Sequence, residues 1–135
     1  MKIAVLHYGL IQDYNVFKTN YNLVYKRFFS GIDLNNVDKY FITTNNVDKN
    51  IFEGLENIKH IHLDDVEISE CEDTIQKVLN FKNNKNFDIK NIPLNKIKAI
   101  IYKNYRLKIG YDIIESYEQN YDIIMCLRSD CKFMR

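Results

Sequence analysis

The chain has 135 residues, 46% of them hydrophobic and 27% charged, which bounds it to one globular domain large enough for a real core. Nineteen basic against eighteen acidic residues leave a net charge of +1, so no global electrostatic case exists for nucleic acid or an anionic membrane surface. No apolar run approaches the roughly eighteen residues of a membrane span, and MKIAVLHYGL is too short in its apolar part for a secretory leader, so no membrane span and a cytoplasmic location are expected.

The first seven residues after Met1, KIAVLHY, form an apolar run that predicts a buried strand ended by Gly9. Asp13 is a candidate N-cap for a helix whose Phe17, Tyr21, Val24 and Phe28 recur at spacings of four, three and four. Ser30-Gly31 closes that helix. Tyr40 to Thr44 predicts a second strand, Asn45-Asn46 a turn, Asn50 to Ile58 a short helix, and His60 to Leu63 a third strand. This alternation points to βαβ units and a parallel sheet. Ser69 is a candidate cap for a helix through Leu79, with Glu70, Glu72 and Asp73 where the helix dipole favours acidic groups.

FKNNKNFDIKN then predicts an exposed loop, and Pro93 opens a long helix to about Asn120. Along it Ile97, Ile101, Tyr105, Ile109, Ile113 and Tyr117 repeat every four residues. That stripe drifts around a helix, which makes Gly110 a candidate bend or break. Tyr121 to Leu127 predicts a final strand, its Ile123–Leu127 run apolar enough for burial on both faces.

Asn, Lys and Ile are abundant, there are ten tyrosines and no tryptophan, and such a bias reflects an AT-rich genome more than chemistry. Cys71, Cys126 and Cys131 are odd in number and lack zinc-ligand spacing, so they read as free thiols in a reducing compartment. His7 reads as a core histidine. His60, His62 and Asp64 share a strand face and could hold a metal or simply be half-exposed polar residues. The sequence contains no Ser-His-Asp, Cys-His or HExxH arrangement, no Walker loop and no GxGxxG fingerprint.

Three places carry candidate chemistry. Ligands of open parallel sheets gather at the carboxyl ends of the strands. Arg128-Ser129-Asp130 stands at one such end, where a carboxylate and a fixed cation could meet a diphosphate. The loop Gly9-Leu10-Ile11-Gln12-Asp13 joins a strand to a helix N-terminus, a place that favours anions or nucleotides. On the long helix Lys96, Lys103 and Gly110 recur every seven residues with Arg106 near the same face, within roughly a quarter turn. That cationic stripe reads either as a phosphate-facing surface or as a solvated helix face.

The segment KIKAIIYKNYRLKIGYDIIESYEQNYDIIMCLRSDCKF resembles a family of GT-A-type sugar-transferring enzymes of bacterial surface-polysaccharide clusters and giant viruses. In that family a long Tyr- and Lys-bearing helix leads to "YD", an apolar strand, and an Arg-x-Asp with a following Phe. The KIAVLHYGL strand, the helix after it and VDKYFITTN fit as well, and the match is weakest from Asp64 to Ile92. The resemblance implies one Rossmann-like α/β domain, residues 1–135, with a mostly parallel sheet flanked by helices, as in the donor half of a GT-A fold. It further implies transfer of a sugar from a nucleotide diphosphate sugar to a glycan or protein acceptor. Asp130 would hold Mg²⁺ or Mn²⁺ on the diphosphate, Lys103, Arg106 and Arg128 would assist as cations, and Gly9, Leu10 and Gln12 would cradle the nucleoside.

Two departures accompany the resemblance. Arg128 replaces the first carboxylate of the DxD-like motif, and Gln12 stands where family members often have arginine. The acceptor site and catalytic base of such enzymes lie in a further segment, so this chain alone is expected to bind donor weakly, to transfer no sugar and to self-associate at high concentration. The rival readings are a non-catalytic Rossmann-like binding or assembly module, and a metal-dependent nuclease-like domain using Asp64, Asp65 and Asp130.

Overall fold

A computed structural model describes residues 1–82, 91–117 and 119–130. Four strands, β1 (Ile3–Tyr8), β2 (Val37–Thr44), β3 (Ile58–Asp64) and β4 (Ile123–Arg128), form one sheet in the order β3-β2-β1-β4. Every pairing is parallel: Ile3 to Tyr8 of β1 face Val37 to Ile42 of β2 on one side and Ile123 to Arg128 of β4 on the other. The helices are α1 (Tyr14–Leu23), α2 (Glu72–Lys82) and α3 (Leu94–Ser116). This is the Rossmann-like α/β arrangement that the alternating strands and helices predict.

The central strands obey the expectation for a doubly covered parallel sheet, with all six residues of β1 and all eight of β2 buried. β4 does not: as an edge strand it leaves Ile123 42% and Ile124 38% exposed. An apolar run predicts burial from hydrophobicity, but a strand with one neighbour has less of its surface covered.

One face of the sheet is covered by α1. Asp13 caps it as expected, its Oδ1 accepting from the backbone N–H groups of Asn15 and Val16 at 2.8 and 3.2 Å. Phe17, Tyr21 and Val24 pack with Tyr25 and Phe29 on Ile3, Val5, Val37 and Phe41. The predicted stripe fails only at Phe28, which is 65% exposed. After Val24 the helix widens into a π-turn, Val24–Phe28, closed by Phe29 N–H donating to the Val24 carbonyl. The wider turn rotates Phe28 outward and brings Phe29 onto the sheet.

The short helix expected over Asn50 to Ile58 is only a 3-10 turn, Lys49–Phe52. Gly54 and Asn57 take left-handed conformations, φ +79° and +58°, which ends any helix and turns the chain into β3. Another 3-10 turn, Ser69–Cys71, precedes α2, so Ser69 is not its cap. α2 reaches Lys82, and the loop expected after it lies mostly outside the described residues.

The other face of the sheet is covered by α3, which is continuous through Gly110. Its four-residue repeat advances about 40° around the axis at each step, and the drift is resolved by a change of partner. Ile101 and Tyr105 pack with Ile68, Cys71 and Ile75 of the α2 region, while Ile109, Ile113 and Ile114 pack on Ala4, Leu6, Tyr40 and Ile42. Gly110 marks close approach and not a bend. A Cβ there would lie 2.4 Å from Leu6 Cδ2 and 2.7 Å from Cδ1.

The "YD" pair before β4 is structural. Tyr121 OH donates to Asp38 Oδ2 at 2.7 Å, and Asp122 Oδ2 accepts the Lys2 backbone N–H at 2.6 Å. These bonds tie the amino ends of β4, β2 and β1 together, far from the strand ends where ligands gather.

Candidate functional site

The chain reaches β2 and β3 on one side of β1 and then crosses to place β4 on the other. A crevice opens where a strand order reverses in this way, outside the carboxyl ends of the two strands. Gly9 and Leu10 leave β1 there, and Arg128 to Asp130 leave β4 beside them. The two ends are joined by Ser129 N–H donating to the Tyr8 carbonyl at 2.8 Å, and Gly9 N–H ties the end of β1 to β2 by donating to the Ile42 carbonyl at 3.0 Å. Gly9 has φ +101°, so glycine serves the backbone turn, and Asp130 Oδ1 would stand at ordinary contact distance, 4.0 Å, from a Cβ there.

Helix α3 closes the crevice into a cleft of about 330 Å³, near the lower end of the range for small-molecule sites. Gly9, Leu10, Lys103, Arg106, Arg128 and Asp130 all line it. Six of the seven residues singled out as substrate-binding are therefore brought together from three separate stretches of chain. The seventh, Gln12, is exposed and lies elsewhere. The N-terminus of α1 is likewise not part of the cleft, and its first N–H groups are already taken by Asp13.

Lys98 and Tyr102, which the sequence reading did not single out, also line the cleft, as does Glu67 from the loop after β3. The signal that identifies the α3 face is the four-residue series Lys98, Tyr102, Arg106, which stacks on one side of a helix. Of the seven-residue series only Lys103 reaches it: Lys96 is exposed and not a lining residue, and Gly110 packs on Leu6.

The charges around the cleft are unevenly matched. Lys98 Nζ pairs with Glu67 Oε1 at 3.5 Å. Arg128 Nε–H and Nη2–H donate to Asp130 Oδ1 and Oδ2 at 3.0 and 2.6 Å, a planar two-bond fork. Among the described residues Lys103 makes no ion pair, and Arg106, 5% exposed, pairs with Asp64 at 3.6 Å. Burial pushes the Arg106 guanidinium below its ordinary pKa, while Asp64 pulls it back up. Four cations against two carboxylates on the cleft lining, with Asp64 pairing Arg106 from outside it, still favour an anionic ligand.

A divalent cation fits this arrangement poorly. Asp130 is the carboxylate placed to receive it, yet both of its oxygens are held by Arg128. Among the described residues no group of three or more His, Cys, Asp or Glu side chains could hold a metal. His62 Nε2 is bound to Asp64 Oδ1 at 2.7 Å, His60 Nδ1 to Tyr117 OH at 2.9 Å, and Asp65 accepts from Asn45 Nδ2 at 2.7 Å. Asp64 and Asp65 border a different pocket from the one that holds Asp130, so the three carboxylates of a nuclease-like site do not converge. His7 is the core histidine expected, hydrogen-bonded to Tyr25 OH at 2.6 Å. Cys71 is buried and Cys126 half-buried, both as free thiols, and Cys131 lies outside the described residues.

The molecule is thus defined as a Rossmann-like parallel α/β domain with a cationic cleft at its strand-order reversal. No protein-family model matches the chain, and neither the curated proteins nor the solved structures give a match. Among the described residues no helix is long and apolar enough to cross a membrane.

Proposed function

We propose that the cleft is a donor site for a nucleotide diphosphate sugar, and that the domain serves glycosyl transfer to a glycan or protein acceptor. The observation that supports this most is the convergence of Gly9, Leu10, Lys103, Arg106, Arg128 and Asp130 at one crevice. The backbone of Gly9 and Leu10 would border the nucleoside, and Lys103 and Arg106 the diphosphate. When the bond between the sugar carbon and the diphosphate oxygen breaks, negative charge collects on the leaving diphosphate. Cations fixed beside it stabilise that charge without reorganising. Mg²⁺ or Mn²⁺ would reach Asp130 only after the Arg128 fork opens.

A binding module without catalysis is the second reading, favoured by one observation. Both carboxylates lining the described cleft, Glu67 and Asp130, are ion-paired, so neither stands ready as a base. Calorimetric titration with UDP, GDP and CDP, each with and without Mn²⁺, tests the shared premise. Binding of one diphosphate nucleotide above its nucleoside is expected, and no heat from any of the three would remove the donor-site reading. Transfer assays with the matching nucleotide sugar then separate enzyme from binding module.

A further inference from the structure

Arg106 presents a guanidinium that the rest of the domain satisfies only in part, through an ion pair with Asp64. It is 5% exposed, and its Nη2 is buried without a hydrogen-bond partner. Its Nε faces Asp64 Oδ2 across 3.6 Å, an ion-pair distance too long for a hydrogen bond. Asp64 is anchored elsewhere, since its Oδ1 is bound to His62. The planar group is steadied by Tyr102, whose ring centre is 5.9 Å from Cζ. Buried polar groups in native proteins are nearly always hydrogen-bonded, and an unmade bond on a charged donor is costly. Arg106 also lines the cleft, and a ligand there that drew Nη2 out of its buried position would supply what is missing. Half-exposed Lys103 lies one helical turn away on the same wall.

Across the cleft, Arg128 already neutralises Asp130 through two parallel hydrogen bonds, the strongest geometry available to such a pair. The role that a divalent cation would play on a diphosphate is therefore open to the protein's own cations.

We propose that the cleft receives a diphosphate directly on Arg106 and Lys103, without a divalent cation, the Arg106 fork taking oxygens of one phosphate. The choice of a diphosphate rests on the donor-site reading; the chemistry asserted is that of a condensed phosphate on a guanidinium.

The test is calorimetric titration of the whole chain with inorganic pyrophosphate, once in EDTA and once in Mg²⁺. Binding in EDTA is expected, weakened roughly tenfold to a hundredfold in Arg106→Lys, which keeps a charge beside Asp64 but lacks the fork. Lys103→Ala, at a half-exposed position, should also weaken it, and keeps the test available if the buried substitution does not fold. Asp130→Asn releases the Arg128 guanidinium from its fork at the cleft and should strengthen binding in EDTA, because Asp130 is not asked to hold a metal. Pyrophosphate that binds only with Mg²⁺, and is lost in Asp130→Asn, would overturn the proposal. So would failure to bind under both conditions, even if a nucleotide still bound through its base. Metal-free pyrophosphate binding with no affinity for any nucleotide would uphold it while removing the donor-site reading.

Discussion

His7 should make this domain acid-sensitive, and one substitution isolates the effect. The imidazole is 4% exposed, stacks on Phe41 with ring centres 4.7 Å apart, and shares a hydrogen bond with Tyr25 OH at 2.6 Å. Nearby Lys39 is also buried, donating from Nζ to Tyr21 OH and the Glu56 carbonyl at 2.6 and 2.9 Å. Burial first, and the Lys39 charge second, lower the His7 pKa from 6.5 to about 3. The folded value lies below the unfolded one, so the unfolded chain takes up the proton first. Stability is then whole above the unfolded pKa and drains away as the pH falls toward the folded one. Each pH unit inside that window costs about 1.4 kcal/mol, so acidification from pH 7 to pH 5 should remove about 2 kcal/mol through this residue alone. Urea unfolding of the parent and of His7→Gln at pH 7, 6 and 5 would measure it. Surface carboxylates titrate alike in both proteins, so the difference between their pH slopes belongs to His7. Glutamine loses the stacking on Phe41 and should be less stable at pH 7, with the gap narrowing by about 2 kcal/mol at pH 5. Parallel slopes would refute the reasoning, showing that the buried ring is protonated as readily in the folded chain as in the unfolded one.

Gly110→Ala should destabilise by about 1–2 kcal/mol, because overpacking against fully buried Leu6 exceeds the roughly 1 kcal/mol gained in helix propensity. Thermal melts in a Leu6→Val background, which removes the methyl groups nearest the new Cβ, should show the penalty shrinking or reversing; an unchanged penalty would mean the clash is not with Leu6. Asp13→Ala removes the acceptor for two N–H groups of α1 and should cost about 1 kcal/mol in urea unfolding, while leaving pyrophosphate affinity unchanged because the N-terminus of α1 is outside the cleft.

Much of the architecture was legible in the residues because it depends on local preference and on hydrophobic pattern. The buried runs KIAVLHY and YFITT announce strands, Asp13 announces a helix start, and the alternation of strand and helix announces a parallel sheet. The strand ends after Gly9 and Arg128 are legible as places for chemistry on the same basis, since each is local to its own strand. Three other matters were settled only by packing. Hydrophobicity cannot distinguish a central strand from an edge strand, because that depends on how many neighbours pair with it; hence Ile123 and Ile124 are exposed. Nor does propensity separate a glycine that breaks a helix from one that lets it press on a sheet, as Gly110 does against Leu6. The wall of the cleft is the third. Lys98, Tyr102 and Arg106 become one surface with Gly9 and Asp130 only because α3 crosses the sheet at the strand-order reversal. That crossing is set by two apolar contacts at opposite ends of the helix, with the α2 region and with β1 and β2, whose residues lie far apart along the chain. Side-chain spacing within one element reports which residues share a face; which face meets which strand end is decided by contacts between elements, and no single segment carries that information.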